Sequence, residues 1–271
     1  MERFAAFRIG KFECLAILDG AVVVPDMVTP KQFNPRDPNT GLAMDVNCLV
    51  IRTGPHNVLV DTGCGRGFGG IGGRLFENLA AAGIKTGDID TVVITHAHGD
   101  HIGGNVDAGG KPAFANARYV MHRKEWDYWT TKLAEPPAAR DMNFIVRNNL
   151  PPIKDRLVFI DKDTEIVPGI KAEHSPGHTP GGLMLMVSSD GQSLCCIGDL
   201  IHHEAELNQY DLYAVFDVAK DEAVAERRRL LPQLADSGVL VYGAHLKFPG
   251  LARFTRQGDR LALQPVSSAP Q

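Results

Sequence analysis

Six consecutive residues, 96–101, hold three histidines and an aspartate in the run His96-Ala97-His98-Gly99-Asp100-His101. Such a run is too polar for a protein core and too dense for an ordinary surface loop. Neutral imidazole and carboxylate are first-choice ligands for zinc and related ions. The run leaves residues 91–95 (TVVIT), a β-branched stretch suited to a strand buried on both faces. Where a loop leaves a strand, alternate residues can point to different sides of a cavity. His96 and His98 can then serve one ion while Asp100 and His101 serve its neighbour.

Four more polar residues stand where an apolar run stops. Asp61 follows Val58-Leu59-Val60, His178 lies in the turn-rich SPGHTPG, Asp199 ends LCCIGD, and His245 ends VLVYGAH. Taken singly, each reads equally well as a turn residue or a satisfied core histidine. Their shared position at strand ends groups them with the histidine-rich run as one metal site.

These residues need a scaffold of alternating strands and helices. Strands are expected at residues 48–52, 57–60, 91–95, 157–160, 170–174, 183–187, 194–197 and 239–242, from short apolar runs bounded by turn signals. Helical spacing appears over residues 74–82 and 221–235, where Val224, Leu231 and Leu234 can share a face and Gly238 is a suitable stop. Pro232 is expected to kink or shorten the second helix. Residues 25–44 and 134–156 read as long loops, the latter with a possible internal helix, and long loops in compact domains are often functional. With no repeat and no convincing linker, residues 1–271 are expected to form one domain.

Other features attract attention but fit plainer roles. Gly67–Gly73 is glycine-rich but lacks the Lys-Ser/Thr ending of a phosphate-binding loop, so it reads as a loop beside the metals. Cys64 is expected to pack rather than act as a nucleophile. Trp126, Tyr128 and Trp129 suit a helix packed on a sheet, and can also wall an apolar pocket. Arg227, Arg228 and Arg229 form the densest basic cluster and read as a solvated helix face.

Composition narrows the classes further. The 271 residues are 44% hydrophobic and 22% charged, enough for a sizeable core. A net charge of -4 and the lack of a long Lys/Arg run argue against a nucleic-acid partner. The five cysteines contain no CxxC pair and suit reduced thiols, with Cys195 and Cys196 buried in an apolar run. The N-terminal residues lack the pattern of a secretory signal, and no stretch approaches the length of an apolar membrane span. A cytoplasmic protein with no membrane partner is expected. A homodimer is compatible with the sequence, which does not specify one.

The series DTG, HxHxDHxGG, PGHTPG, GD and a late histidine, in this order over roughly residues 46–265, resembles the metallo-β-lactamase superfamily. The resemblance implies an α/β fold, an αββα sandwich with a binuclear metal site at one edge. It implies that His96, His98 and His178 hold one ion, Asp100, His101 and His245 the other, and that Asp199 bridges them. Asp61 would orient a ligand from behind. Two divalent ions, zinc by preference, would lower the pKa of a shared water and supply hydroxide at neutral pH. Asp100 or Asp199 would then pass a proton to the leaving group.

The ending Gly243-Ala244-His245-Leu246-Lys247-Phe248-Pro249-Gly250 looks like the branch containing methyl-parathion hydrolase and related lactone and aryl-ester hydrolases. N-acyl-homoserine lactonases resemble the chain more distantly. They place a tyrosine three residues after the bridging aspartate, where this sequence has His202, an alternative hydrogen-bond donor to a substrate oxyanion. Hydrolysis of lactones or aryl esters is therefore the expected activity. Phosphotriester hydrolysis and acyl-homoserine lactone opening are alternatives, as is a non-catalytic ligand-binding relative. Few cations accompany the two long loops, residues 126–129 and residues 202–216, so the expected substrate is small, neutral and fairly apolar.

Overall fold

The computed structural model describes residues 3–24, 42–66, 72–133, 143–214 and 216–266. The first seven strands form one sheet in chain order: β1 (Phe4–Ile9), β2 (Phe12–Val24), β3 (Leu42–Arg52), β4 (Asn57–Val60), β5 (Thr91–Val93), β6 (Arg118–His122) and β7 (Leu157–Ile160). The second sheet runs in the opposite spatial order from β14 to β8. Its strands are β8 (Thr164–Val167), β9 (Ile170–His174), β10 (Leu183–Ser189), β11 (Gln192–Cys196), β12 (Leu240–Tyr242), β13 (Leu251–Gln257) and β14 (Arg260–Pro265). The helices are α1 (Leu75–Ala81), the single turn α2 (Gly99–Ile102), α3 (Arg123–Leu133), α4 (Asn143–Asn149) and α5 (Lys220–Ser237).

Three apolar layers hold these elements together. Between the sheets, Leu49, Val58, Val60 and Val93 of the first meet Leu183, Leu185, Val187 and Leu194 of the second. On the first sheet's outer face, Leu59, Val92 and Tyr119 pack with Leu75 and Leu79 of α1, Trp129 of α3 and Val146 of α4. On the second sheet's outer face, Cys195 and Val241 pack with Leu230, Leu231 and Leu234 of α5. Helices outside, sheets inside: the architecture is the expected αββα sandwich. Strand alternation explains it, since successive side chains of a strand enter opposite layers.

Strand direction then places the site. β4, β5 and β6 are mutually parallel, as are β11 and β12, so their C-terminal ends emerge at common edges. The sheets are joined there by backbone bonds from Leu183 N–H to the Thr95 carbonyl at 2.9 Å and from Asn47 N–H to the Ala244 carbonyl at 3.0 Å.

Several sequence expectations change in detail. The run at residues 48–52 belongs to the longer β3, which begins at Leu42, inside the expected loop 25–44; residues 25–41 lie outside the described residues. Strands β1, β2, β6, β8, β13 and β14 were not expected. Asp19-Gly20 interrupts the apolar pattern of β2, and the structure accommodates the break with a bulge between Leu18 and Gly20. Helix α4 lies within the expected 134–156 loop, of which residues 134–142 are outside the description, and residues 67–71 of the glycine-rich stretch are outside it too.

Helix α5 continues through Pro232 to Gly238, which caps it with φ 61° in the left-handed region. The carbonyl freed by Pro232 belongs to Arg228, which is exposed, so water can satisfy it. The solvated-face reading of the arginine triplet is wrong at one position. Arg228 and Arg229 are exposed, but Arg227 is fully buried on the packed side of the helix. Among the described residues, no helix is long and apolar enough to cross a membrane.

Candidate metal centre

The structure brings His96, His98, Asp100, His101, His178, Asp199, His202 and His245 together from both sheets. His96 Nε2, His98 Nδ1 and His178 Nε2 form a triangle with sides of 3.1, 2.8 and 3.1 Å. Beside it, His245 Nε2 stands 3.4 Å from His101 Nε2 and 3.5 Å from Asp100 Oδ2. Asp199 lies between the groups: its Oδ2 is 3.4 Å from His178 Nε2 and 3.0 Å from His245 Nε2, and its Oδ1 is 3.4 Å from His101 Nε2. Six of the seven expected ligands are buried; Asp100 alone is partly exposed.

The outer atoms of these rings fix which nitrogen faces inward. Asp61 Oδ1 accepts the Thr95 N–H at 2.8 Å, and its Oδ2 accepts the Thr95 hydroxyl at 2.7 Å and His101 Nδ1–H at 2.8 Å. Having given its only proton to Asp61, the Thr95 hydroxyl must accept from His96 Nδ1, 3.2 Å away. His178 Nδ1 donates to Asp217 Oδ1 at 2.7 Å, and His245 Nδ1 to the Asp45 carbonyl at 3.0 Å. His96, His101, His178 and His245 therefore turn Nε2 lone pairs inward. Lone pairs this close repel unless a cation lies among them. Nitrogens around one tetrahedral zinc stand about 3.3 Å apart, from bonds of about 2.0–2.1 Å. The observed triangle is near that spacing, and Asp199 Oδ1 has no other hydrogen-bond partner. By donor type, direction and spacing, the residues fit two metal ions.

Local structure holds each donor group. Asp61 adopts φ 60°, a left-handed conformation uncommon outside glycine, which is retained where its carboxylate ties β4 to Thr95 and His101. Glu125 of α3, buried, accepts the Ala97 N–H at 2.8 Å and the Trp129 indole N–H at 2.7 Å with Oε1, and the Gly181 N–H at 2.9 Å with Oε2. It clamps the loop carrying His96 and His98 to the loop carrying His178. A side chain at Gly181 would strike Glu125, its Cβ falling 2.3 Å from the Glu125 nitrogen. Asp19, turned inward at the β2 bulge, accepts backbone N–H groups of Cys64, Gly73 and Leu75 at 2.8–2.9 Å. Sequence inspection missed Glu125, Asp19 and Asp217 because their partners are remote in the chain.

Electrostatics follows from burial and mutual proximity. Burial, then the positive form of neighbouring histidines, pushes His96 and His98 well below the usual imidazole range, favouring neutral donors. Burial opposes ionisation of Asp199, but His245, His101 and His96 outweigh it and hold the carboxyl well below the usual range. Burial lowers His202, yet the facing carboxylates of Asp199 and Glu206 raise it to about 10. Burial pushes the Cys64 thiol up, with Asp19 adding to the effect, so this residue packs and does not supply a thiolate. Cys195 and Cys196 are likewise buried, and no disulfide joins the cysteines.

An apolar rim borders the polar centre. The Phe216 ring stands 5.9, 5.7 and 5.2 Å from the His98, His178 and His202 rings, and clusters with Met44, Val46, Cys64 and Ala214. The Trp129 ring lies 5.4 Å from His98, so this residue serves both the helix packing and the wall. Trp126 and Tyr128 pack instead on the outer layer.

Residues 42–245 match the family model described as the metallo-beta-lactamase superfamily. An N-acyl homoserine lactonase of Bacillus sp is 28% identical over 117 residues, 43% of this chain and 40% of that protein. The corresponding protein of Bacillus cereus is 24% identical over 173 residues, 64% of this chain and 62% of that one. The matched stretches thus span less than two thirds of these relatives. AidC, a dizinc quorum-quenching lactonase solved with a product, superposes with a TM-score of 0.88 at 27% identity, covering 98% of both chains. The hydrolase AbOPH, with the same TM-score at 23% identity over 100% of this chain and 99% of its own, supports the fold alone. None of these matches singles out the methyl-parathion hydrolase branch.

Proposed function

The chain belongs to the metallo-β-lactamase superfamily, and on that premise we propose that it is a two-metal hydrolase opening lactones of small, neutral, fairly apolar character. The observation that carries the reading is the convergence of inward-facing histidine nitrogens on Asp199. His96, His98 and His178 would hold one ion, Asp100, His101 and His245 the other, and Asp199 both. When bound, two such ions supply an activated water at neutral pH and polarise a substrate oxygen. The chain's own groups do the rest. Asp217, Asp61 and the Asp45 carbonyl hold the imidazoles in the tautomer that presents Nε2. Asp100, the only partly exposed member of the seven, would return a proton to the leaving alkoxide, with Asp199 the alternative carboxylate. His202 Nε2 faces the centre beside Asp199 and can donate to the oxyanion.

Phe216, partly exposed and packed on the buried Met44 and Val46, would offer apolar surface to the acyl or ring portion of the substrate. The lactonase relatives and the AidC superposition support the lactone choice. Contributions from both sheets to one centre support treating residues 1–271 as a single catalytic unit. Buried, unpaired cysteines would suit a cytoplasmic setting.

The test is kcat/KM on one zinc-loaded preparation for an aromatic lactone, an acyl-homoserine lactone, an aryl ester, a dialkyl aryl phosphate and a cephalosporin. A lactone is expected to lead. A lead by the phosphate or the cephalosporin of more than about tenfold, or about 1.4 kcal/mol of transition-state preference, overturns the choice.

A further inference from the structure

His202 is enclosed, yet neither ring nitrogen makes a hydrogen bond. Its Nε2 faces Asp199 Oδ2 at 3.4 Å, and its Nδ1 faces Glu206 Oε1 at 3.7 Å. Glu206 Oε1 is itself buried without a hydrogen-bond partner. Leaving such groups unmade is costly, so their orientation needs a cause. Glu206 supplies part of it: its other oxygen accepts the backbone N–H groups of His202 at 2.6 Å and His203 at 2.8 Å. The carboxylate that faces the ring therefore also fixes the backbone carrying it.

Behind Glu206 stands Arg227. Its Nε donates to the Leu200 carbonyl at 2.9 Å and its Nη1 to the Leu212 carbonyl. Its Nη2 lies 3.0 Å from Asp217 Oδ2 and 3.3 Å from Glu206 Oε1. One buried guanidinium thus backs two carboxylates, one bonded to His178 and one facing His202. It also ties α5 to the segments entering and leaving the site. A planar fork of donors can satisfy this set; a lysine ammonium has neither the span nor the geometry.

We propose that Glu206 and Arg227 are positioning residues acting through His202. Arg227 fixes the Glu206 carboxylate, Glu206 holds the His202 backbone and sets its charge opposite Nδ1, and Nε2 is thereby held toward the substrate oxygen. The catalytic part of this role rests on the two-metal hydrolase reading; the ring contact does not. Asp217 shares the same guanidinium, so the imidazole that binds metal and the imidazole that faces substrate are set by one support.

The experiment compares Glu206→Gln, Arg227→Lys and His202→Gln, with the Glu206→Gln/His202→Gln double variant, in the full zinc-loaded chain. Glutamine keeps the volume of Glu206, which guards against misfolding. The expected result for Glu206→Gln is a fall in kcat of about 10–100-fold, the range for groups that orient active-site residues. Metal content and KM should change little. In the His202→Gln background the same change should cost less than about twofold, because it acts through the ring already removed. Arg227→Lys should reproduce the loss in part. Independently of activity, the nitrogen spectrum of 15N-histidine-labelled protein should show an Nδ1–H at His202 that Glu206→Gln perturbs. An unchanged His202 spectrum, an undiminished kcat in Glu206→Gln, or fully additive losses in the double variant would each overturn the proposal. If no substrate is hydrolysed, the spectrum still decides the contact between Glu206 and His202, and only the hydrolase reading fails.

Discussion

The two sheets deliver their site residues in different ways. From the first sheet comes one contiguous loop, residues 96–101, held close behind by Asp61 and Thr95 and clamped by Glu125. From the second come His178 on one turn and Asp199 and His202 on another, backed by Asp217, Glu206 and Arg227, and His245 on a third, held by the Asp45 carbonyl of the first sheet. The first half draws its donors from one contiguous loop. The second draws them from three separate segments, two of them supported by one arginine of α5. The side-chain ties behind both reach across the fold, but in the second they form a buried polar network in which each member leaves another unsatisfied if removed.

In the proposed centre Asp199 would serve both ions, so Asp199→Ala is expected to have the largest effect. It should lose at least one ion per chain and lower kcat on the order of 1,000-fold or more, the scale for removal of a central catalytic group, with the fold retained by circular dichroism. Near-normal turnover with full metal content would show that the halves do not meet through this residue. Separating the halves needs milder changes. Asp61→Asn should weaken the ion held with His101, and Asp217→Asn the ion held with His178, each by about 10–100-fold in affinity. Chelator competition on each variant checks this; loss of the same ion from both would break the comparison.

The seam between the sheets offers a smaller, pH-dependent effect. The His122 ring stacks on His174 of the other sheet at 4.2 Å, and its Nδ1 accepts the Lys124 N–H. Burial, then the nearby His174, lowers its pKa to about 4, against about 6.5 in the unfolded chain. A lowered folded pKa means the neutral ring's stabilisation is whole above about pH 6.5. It is lost progressively as pH falls toward about 4, because the unfolded chain takes up the proton first. After solvent screening the loss amounts to about 1 kcal/mol. Urea melts of metal-free protein between these pH values should show it, and His122→Asn should flatten that part of the profile. An equal slope in both proteins would remove His122 as the cause.

The same contrast decides what could be read from the sequence. The clustered histidines and aspartates were legible because metal chemistry concentrates rare residue types at strand ends, and because the loop of the first sheet is contiguous. The αββα order came from the family resemblance; apolar runs separated by turns marked most strands but not β1, β2, β6, β8, β13 or β14, and in β2 Asp19-Gly20 looks like the end of a strand. That aspartate turns inward at a bulge to receive N–H groups from residues 64–75, a contact that no local pattern announces. Arg227 was hidden by its neighbours, since three consecutive arginines suggest solvent. Its spacing carried the signal: Ala223, Arg227, Leu230, Leu231 and Leu234 form the packed face of α5. A charge on an apolar stripe predicts a buried partner. Those partners, Glu206 and Asp217, lie outside the helix, so only the fold reveals them.

The central claim is that both halves close on two ions in one active centre. Its most direct test is elemental analysis joined to a metal titration of metal-free protein, reading bound zinc and lactone hydrolysis on the same samples. About two ions per chain are expected at saturation, with activity rising fully only as the second binds. Full activity in a preparation that never exceeds one ion per chain would contradict it.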